Sequence, residues 1–542
     1  MIKKSIKQMN VTTLPYSGDM EFGEKDLAYI NGDKKLTGFA KYKQDASEFS
    51  RVINDKSKSY DGNYRGLIAK ALDKQYSELP EDTVAARQIE RLKNPDTFTV
   101  VTAHQPCLFT GPLYVIYKIL SAINLSEQLN KQHPNNHIVP VFVTGGEDHD
   151  LEEINHAHIY GKKVEWNPGQ TGAVGRMDLV NTDELVKAIE NFAGKSPFGE
   201  EAVKLVRESF EGSRNYGHAF RKLVAALFSE SGLIILSMDD PSLKAAFSSI
   251  IEDDLLNNTS RKLVAETQDK IRAAGFQEQA YPREVNCFYH SAEGRLRIEK
   301  TDGRIFQLVG GEKRFSEEEM LSELRENPGK FSPNVVLRPL YQELLLPNLA
   351  YVGGGGEISY WLERGSQFEH YGINFPMLVR RNSVFWFDHI ACKNLNQLGL
   401  GLSSVFSDPE KLIKDYLIEH AGEEITLADE KKLLGDIFRA VEEKAVQLER
   451  SILKTIRAEE AKHLKSIDHL EHKLLKAKKQ QMDVKVNKIR KTHDKLFPEG
   501  KPQERFDNFI MYYFRLGPDF ISGLKDHLNP LKKEVVIIQE AD

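Results

Sequence analysis

Cysteine is scarce in this chain. Its 542 residues include only three, Cys107, Cys287 and Cys392. They are too few and too scattered for a disulfide framework, which points to a soluble protein in a reducing, cytoplasmic setting. Long apolar runs are missing as well: none approaches the roughly 18 residues that a membrane span needs. The start, M-I-K-K-S-I-K at 1–7, is cationic, but no apolar stretch follows it, so a signal peptide is not expected. Nor does one sign of charge dominate. Lys and Arg number 74 against 80 Asp and Glu, a net charge of −6, without the basic excess that nucleic acid attracts. Hydrophobic residues make up 40% and charged residues 28%, enough to pack a core and to exclude global disorder. At about 150 residues per domain, the length allows three to four domain-sized units.

Four short β-branched or apolar runs, at 97–102, 138–143, 232–237 and 348–352, read as buried strands. Pro140 weakens the second as a central strand, because proline cannot donate to a ladder. Each run leads into a polar or glycine-rich loop and then a helical pattern. A dense apolar helix over about 114–132 follows Pro112, which suits a first helical turn. This strand–loop–helix rhythm predicts an α/β fold with a mostly parallel sheet. Between the third and fourth units, 285–290, 295–299 and 304–309 read as short antiparallel strands, with turns at Glu293-Gly294 and Asp302-Gly303. Between Gly435 and Pro498 there is neither glycine nor proline. Apolar residues there step by three and four, as in a coiled coil or helical hairpin. Unbroken, it would reach on the order of 90 Å; a sharp turn near 476–482 is the alternative. The expected division is a core over 1–390, with a helical insertion at about 160–230 and an antiparallel one at about 280–330. A coiled coil follows over 391–500, and 501–542 packs back on the core.

Ligands of doubly wound sheets bind outside the carboxyl ends of the strands, and the polar clusters here do follow strands. The first loop holds His104 and Gln105. It ends in Thr110, Gly111 and Pro112, where a helix start offers free N–H groups to phosphate or carboxylate; Lys118 can add a contact. The bland alternative is a capped turn with a satisfied histidine. The second cluster, Glu147, Asp148, His149, Asp150, Glu152, Glu153, Asn155, His156 and His158, crowds carboxylates that need a cation, a histidine or solvent to relieve them. It suits an amine, a magnesium ion or a proton, or else is a solvated acidic helix start. No zinc spacing is present, so no metal site is assigned. The third is Asp239-Asp240. The fourth, the glycine run at 353–356 with Glu357, lets backbone approach a ligand closely, yet it is neither a Rossmann G-x-G-x-x-G nor a Walker loop. Arg338 and the pair Arg380-Arg381 can each offer a guanidinium to a carboxylate, the alternative being purely structural ion pairs. Cys107 has no assignable base and reads as buried filler. The segment 471–495 has nine Lys/Arg against three Asp/Glu, but no aromatics interleave it, so a solvated helix face is expected rather than a nucleic-acid arm.

These residues carry a resemblance. A-H-Q-P-C-L-F-T-G-P-L-Y at 103–114 is similar to a signature of the bacillithiol biosynthesis cysteine-adding enzymes, with Ala103 replacing the usual glycine. E-D-H-D-L-E-E-I-N at 147–155, R-P-L with Q-E at 338–343, and G-E-I-S-Y-W at 356–361 resemble three further motifs of that family, in the same order. The similarity spans nearly the whole chain. It implies a Rossmann-like core with inserted connecting-peptide regions and a coiled-coil domain that dimerises. It implies ligation of cysteine to the amine of glucosaminyl-malate, the last step of bacillithiol synthesis. By analogy with nucleotidyl-transfer ligases, ATP or another adenine nucleotide would activate the cysteine, with magnesium allowed. His104 and Gln105 would stabilise developing phosphate charge. Glu147 or Asp148 would bind the ammonium of cysteine or act as base toward the sugar amine, with His149 as a further catalytic candidate. Gly355, Gly356, Glu357, Tyr360 and Trp361 would line the nucleotide side, and Arg338 and Arg380 would hold malate. Two rivals stand beside it: a nucleotidyltransferase acting on another small acid, and a nucleotide-binding scaffold working through its coiled coil.

Overall fold

The computed structural model describes residue 6, residues 9–301 and residues 304–540, without the side chains of 422–424. The expected turn at Asp302-Gly303 and most of the cationic start lie outside the described residues. Contacts divide the chain into two units. The first comprises Met1–Trp386 and Lys501–Ile538, the second Phe387–Gly500 and Gln539–Asp542.

A five-stranded sheet organises the first unit: β1 Thr97–His104, β2 His137–Thr144, β3 Ile234–Ser237, β4 Asn348–Gly353 and β5 Met377–Arg380. All four pairings are parallel, in spatial order β5-β4-β1-β2-β3. That is the order of a Rossmann sheet, whose switch point lies between its first and fourth strands. Alternation along β1 explains its burial on both sides. Phe98 and Val100 pack with Ala122, Leu125 and Leu129 of helix α1 (Tyr114–Gln132) on one face. Val101 and Ala103 pack on the other, with Val139, Val141 and Val143 of β2. Such two-sided burial is why these strands read as continuous apolar runs.

Two expectations, for Pro140 and for the antiparallel insertion, differ from the structure. Pro140 lies in a central strand, not at an edge. The β2–β3 ladder begins only at Val141↔Ile234, so at Pro140 the strand has a neighbour on one side, where it faces Val100, and the missing N–H is tolerated. The polar first 95 residues contain long helices, Phe49–Ser59 and Asn63–Tyr76. The antiparallel insertion is a five-stranded sheet: Arg314–Ser316 and Phe331–Pro333 join Cys287–Ser291, Gly294–Thr301 and Ile305–Leu308. Three-residue strands leave little periodicity to read.

In the first unit, three further helices matter below: α2 Pro241–Ala246, α3 Arg338–Leu345 and α4 Gly355–Trp361. The second unit is helical. Its main elements are α5 Pro409–Ile425, α6 Ala428–Leu448, α7 Leu453–Gln481 and α8 Asp483–Leu496. The breaker-free stretch is therefore not one rod. It turns back at 449–452, between α6 and α7, and breaks again at Met482. Ion pairs run antiparallel along the hairpin: Lys431 with Glu471 at 2.7 Å, and Glu442 with Arg457 at 2.8 Å. Among the described residues no helix is long and apolar enough to cross a membrane.

Candidate functional site

The loops after β1, β2, β3 and β4 meet around one cavity of about 670 Å³, a size that suits small-molecule ligands. It lies at the switch point. His104, Gln105, Glu147, Asp148, His149, Arg338, Gly356, Glu357 and Tyr360 line it.

His104 closes β1. The Gln105 carbonyl, 3.1 Å from Nδ1, can only accept, so Nδ1 carries the proton. Nε2 then accepts from the Tyr114 hydroxyl at 2.8 Å. Burial, aided by the nearby Lys118 ammonium, pulls the imidazole down to about 4, so it is neutral at physiological pH. Below it lies a buried ladder: Lys118 donates to the Ala103 carbonyl and pairs with Glu357 Oε2 at 2.7 Å. Glu357 also accepts from Tyr351 Oη at 2.6 Å and from the Gly354 N–H at 2.9 Å, which caps α4. Burial alone would raise this carboxyl, but the Lys118 ammonium and the hydrogen bonds hold it at about 2. On the neighbouring loop, Asp148 accepts from Gln105 Nε2 at 2.6 Å and from the His149 N–H at 2.7 Å. His149 meets Arg295, at 3.1 Å, from the antiparallel insertion. Arg295 stacks over Phe288 with 3.9 Å to the ring centroid.

Glu147 heads an ionic network. Its Oε1 accepts from Lys244 of α2 and from His290 Nε2 at 3.1 Å. Lys244 also reaches Asp239 at 2.9 Å, and Arg176 grips Asp239 with both Nε and Nη2, at 2.7 and 2.6 Å. Glu147, Asp239 and His290 offer ligand atoms within 4.8 Å of one another. The Lys244 ammonium already fills the space between the two carboxylates, so the trio does not fit a metal ion. Of the histidines next to the second cluster, His158 stacks on Phe506 with centroids 4.0 Å apart.

Other expected site residues are placed elsewhere, for identifiable reasons. Thr110, Gly111 and Pro112 do not open onto the cavity. Phe109, Thr110 and Gly111 form a left-handed turn with φ of 50°, 65° and 73°, and a Cβ on Gly111 would lie 2.6 Å from that of Cys107. Asn508 caps this turn by donating to the Phe109 and Gly111 carbonyls at 2.8 and 2.7 Å. The Leu113 N–H donates to the Asp507 carbonyl, so the helix start is taken by the protein itself. Lys118 is fully buried in its ion pair. Asp150 precedes the short helix Leu151–Ile154 and is exposed, and Asn155 is buried beside Glu165. Trp361 stacks on Tyr351 in the core, centroids 4.4 Å apart. Gly355 is a packing glycine, since a Cβ there would fall 2.2 Å from the Asp26 carboxylate. That carboxylate pairs with Arg380 at 3.0 Å, away from the cavity.

Its neighbour Arg381 lines the cavity instead, held by Glu504 at 2.7 and 2.9 Å, and Arg505 lines it too. Of the arginine pair read from the sequence, Arg381 is the one at the cavity; Arg505, Arg295, Lys244 and His290 were missed. A second missed feature is a stack of glycines. A Cβ on Gly175 would lie 2.8 Å from the Gly146 carbonyl oxygen, and one on Gly217 would lie 2.7 Å from that of Gly175. This close approach seats the Glu147 loop on the Val174–Arg176 turn. Isolated glycines in different segments give no local sign of it.

Two family models match. Residues 9–382 match "Bacillithiol biosynthesis BshC, N-terminal Rossmann-like domain" and residues 388–540 its "C-terminal coiled-coil domain". Relatives named "Putative cysteine ligase BshC" include one from Christiangramia forsetii, 36% identical over 94% of this chain and 96% of its own length. One from Flavobacterium psychrophilum is 36% identical over 98% and 100%. One from Bacillus licheniformis is 29% identical over 92% and 94%. With its core, its helical unit and its motif loops all matched along nearly the full length, this chain belongs to the BshC family of bacillithiol biosynthesis.

Proposed function

We propose that the chain is a ligase that joins the carboxyl carbon of cysteine to the amine of glucosaminyl-malate, driven by ATP or another adenine nucleotide. One observation carries the reading. Five arginines line the cavity (Arg283, Arg295, Arg338, Arg381 and Arg505) against three carboxylates, Glu147, Asp148 and Glu357. Each carboxylate is already engaged, by Lys244, Gln105 and Lys118 respectively. The surplus of guanidinium suits two anionic partners in one chamber, a nucleotide triphosphate and a malate, because planar forks bind phosphate and carboxylate two-pronged. The names of the relatives supply cysteine.

In this reading Arg338, Arg381 and Arg505 hold phosphate and malate oxygens. The neutral imidazole of His104 is positioned with Tyr114 beside the reacting phosphate, where hydrogen bonds strengthen as charge develops. Asp148 and Glu147 face the amine. Magnesium would arrive with the nucleotide phosphates, which supply most of its ligands in such sites. The hairpin of α6 and α7 is the dimer contact. Purified protein given cysteine, glucosaminyl-malate and ATP should form the cysteinyl amide, read by mass spectrometry, with one nucleotide consumed per amide. Amide formed without nucleotide would refute the nucleotide-driven step; no amide under any condition would refute the ligase.

A further inference from the structure

The ionic network behind Glu147 holds that carboxylate through one oxygen. Lysine has three ammonium protons, and those of Lys244 have three acceptors: Glu147 Oε1, Asp239 Oδ1 at 2.9 Å and the Gly329 carbonyl at 3.2 Å. Both oxygens of Asp239 are taken by Arg176. His290 Nε2 shares Glu147 Oε1 with Lys244. The four charges cancel, and Lys244 is 1% exposed. Glu147 is thus held through Oε1, while its Oε2 has no hydrogen bond among the described residues, and Glu147 lines the cavity.

We infer that Lys244 is a positioning residue for the amide-forming step: with His290 it pins Glu147 through Oε1, keeps it ionised, and leaves Oε2 to receive the proton of the attacking amine. This rests on the ligase reading above. The nitrogen lone pair forms the C–N bond to the acyl carbon of a nucleotide-activated cysteine. The bond from that carbon to the phosphate-bearing oxygen breaks, its electron pair leaving with the oxygen. The nitrogen, now acidic, gives its proton to Oε2. A carboxylate is a weak base, but it is adequate for a proton made acidic by the new bond.

The charged and titratable groups facing Glu147 come from five places: Lys244 on α2, Asp239 after β3, Arg176 on the 174–176 turn, Tyr341 on α3, and Cys287, His290 and Arg295 on the antiparallel insertion. Burial pushes the Glu147 carboxyl up, and the Lys244 ammonium together with the His290 hydrogen bond more than offsets it, so the net direction is down. Without Lys244 the burial effect is left to dominate, and the acid limb of the rate profile must move to higher pH. An amine-binding anchor with no proton role would lose affinity instead, without that movement.

The test is the pH dependence of kcat for amide formation between pH 5 and 9, with full-length protein. Lys244→Met should move the acid limb up by about one pH unit or more and cut kcat at pH 7 by roughly 30- to 100-fold. The KM for cysteine should change less than about threefold, because Lys244 is buried behind Glu147 and is not part of the cavity lining. His290→Ala should move the limb in the same direction by less, and His290→Gln, whose amide N–H still donates, should restore it. A folded Lys244→Met protein with an unmoved acid limb overturns the inference. If Lys244→Met does not fold, an unmoved limb in His290→Ala overturns it equally. A wild-type protein that forms no amide removes the ligase reading and this role with it, an outcome seen before any variant is made.

Discussion

The two units invert the usual rule of burial in opposite ways. The first hides charge: Lys56, Lys118, Lys244, Glu343, Arg381 and Glu504 are all about 1% exposed or less. The second displays apolar surface. Leu433 is 63% exposed, Ile437 61% and Val441 43%, at a spacing of four along α6. Its ion pairs, such as Lys431 with Glu471, stay at the surface. Buried ions are costly unless each finds its partner, so a body that keeps many of them is arranged around something other than stability alone; here they lie around a cavity lined by five arginines. An exposed stripe at helical spacing is a surface awaiting another surface. On the proposed reading, the difference separates a unit built for chemistry from one built for association.

The sharpest way to break the comparison is to remove one half of a buried pair. Arg381→Met leaves Glu504 ionised and buried among Ser383, Val384 and Arg381's former place. The expected loss is about 3–5 kcal/mol in denaturant unfolding of the first unit. The double variant Arg381→Met, Glu504→Leu should recover most of that stability while leaving the cavity without its arginine, so folding returns and activity does not. If the single variant is as stable as the wild type, the buried charges are not paired in the way described.

Arg381 also marks where sequence stops informing. Strands β1, β2 and β4 were legible because two-sided burial writes an apolar run. The loops that follow them were legible because ligand sites lie at strand ends. Strand β5 is four residues, too short to show a period, and it ends in two arginines that point apart. Which one enters the cavity depends on Asp26 and Glu504, far away in sequence. Lys244 and His290 gain their meaning the same way, from Glu147. The hairpin turn at 449–452 has no glycine or proline to announce it. There the pairing of α6 with α7 overrides a local preference to continue the helix.

Within the first unit, pH sharpens the contrast. His104 falls from an ordinary value near 6.5 to about 4 on folding, mainly by burial. Between those values the unfolded chain binds the proton more readily. Stability from this group is therefore complete above pH 6.5 and is lost as pH falls toward 4, by up to about 3 kcal/mol. His104→Gln should flatten that part of the stability–pH curve, measured by urea unfolding at each pH. Smaller in energy is Gly175→Ala. Its Cβ would meet the Gly146 carbonyl at 2.8 Å, and backbone cannot yield as a side-chain tip does. The expected loss is about 1–3 kcal/mol, with a larger fall in activity because the Glu147 loop moves.

The smallest effect on folding should come from the second unit, and it is the most informative for that reason. Ile437→Glu replaces a residue that is 61% exposed, so the hairpin loses little packing by it. Surface changes of this kind usually stay within about 0.5 kcal/mol, and the helical signal and thermal midpoint should hardly change. If the stripe of Leu433, Ile437 and Val441 meets a second copy, however, the new carboxylate is buried in an apolar seam, where an unpaired charge is strongly disfavoured. Light scattering coupled to size exclusion should then shift from dimer to monomer at micromolar concentration. Val484→Glu, 71% exposed on α8 and outside the stripe, should leave the assembly intact. A dimer that survives Ile437→Glu would mean that exposed apolar residues and association are unrelated here, and the contrast between the two units would reduce to the buried charges of the first.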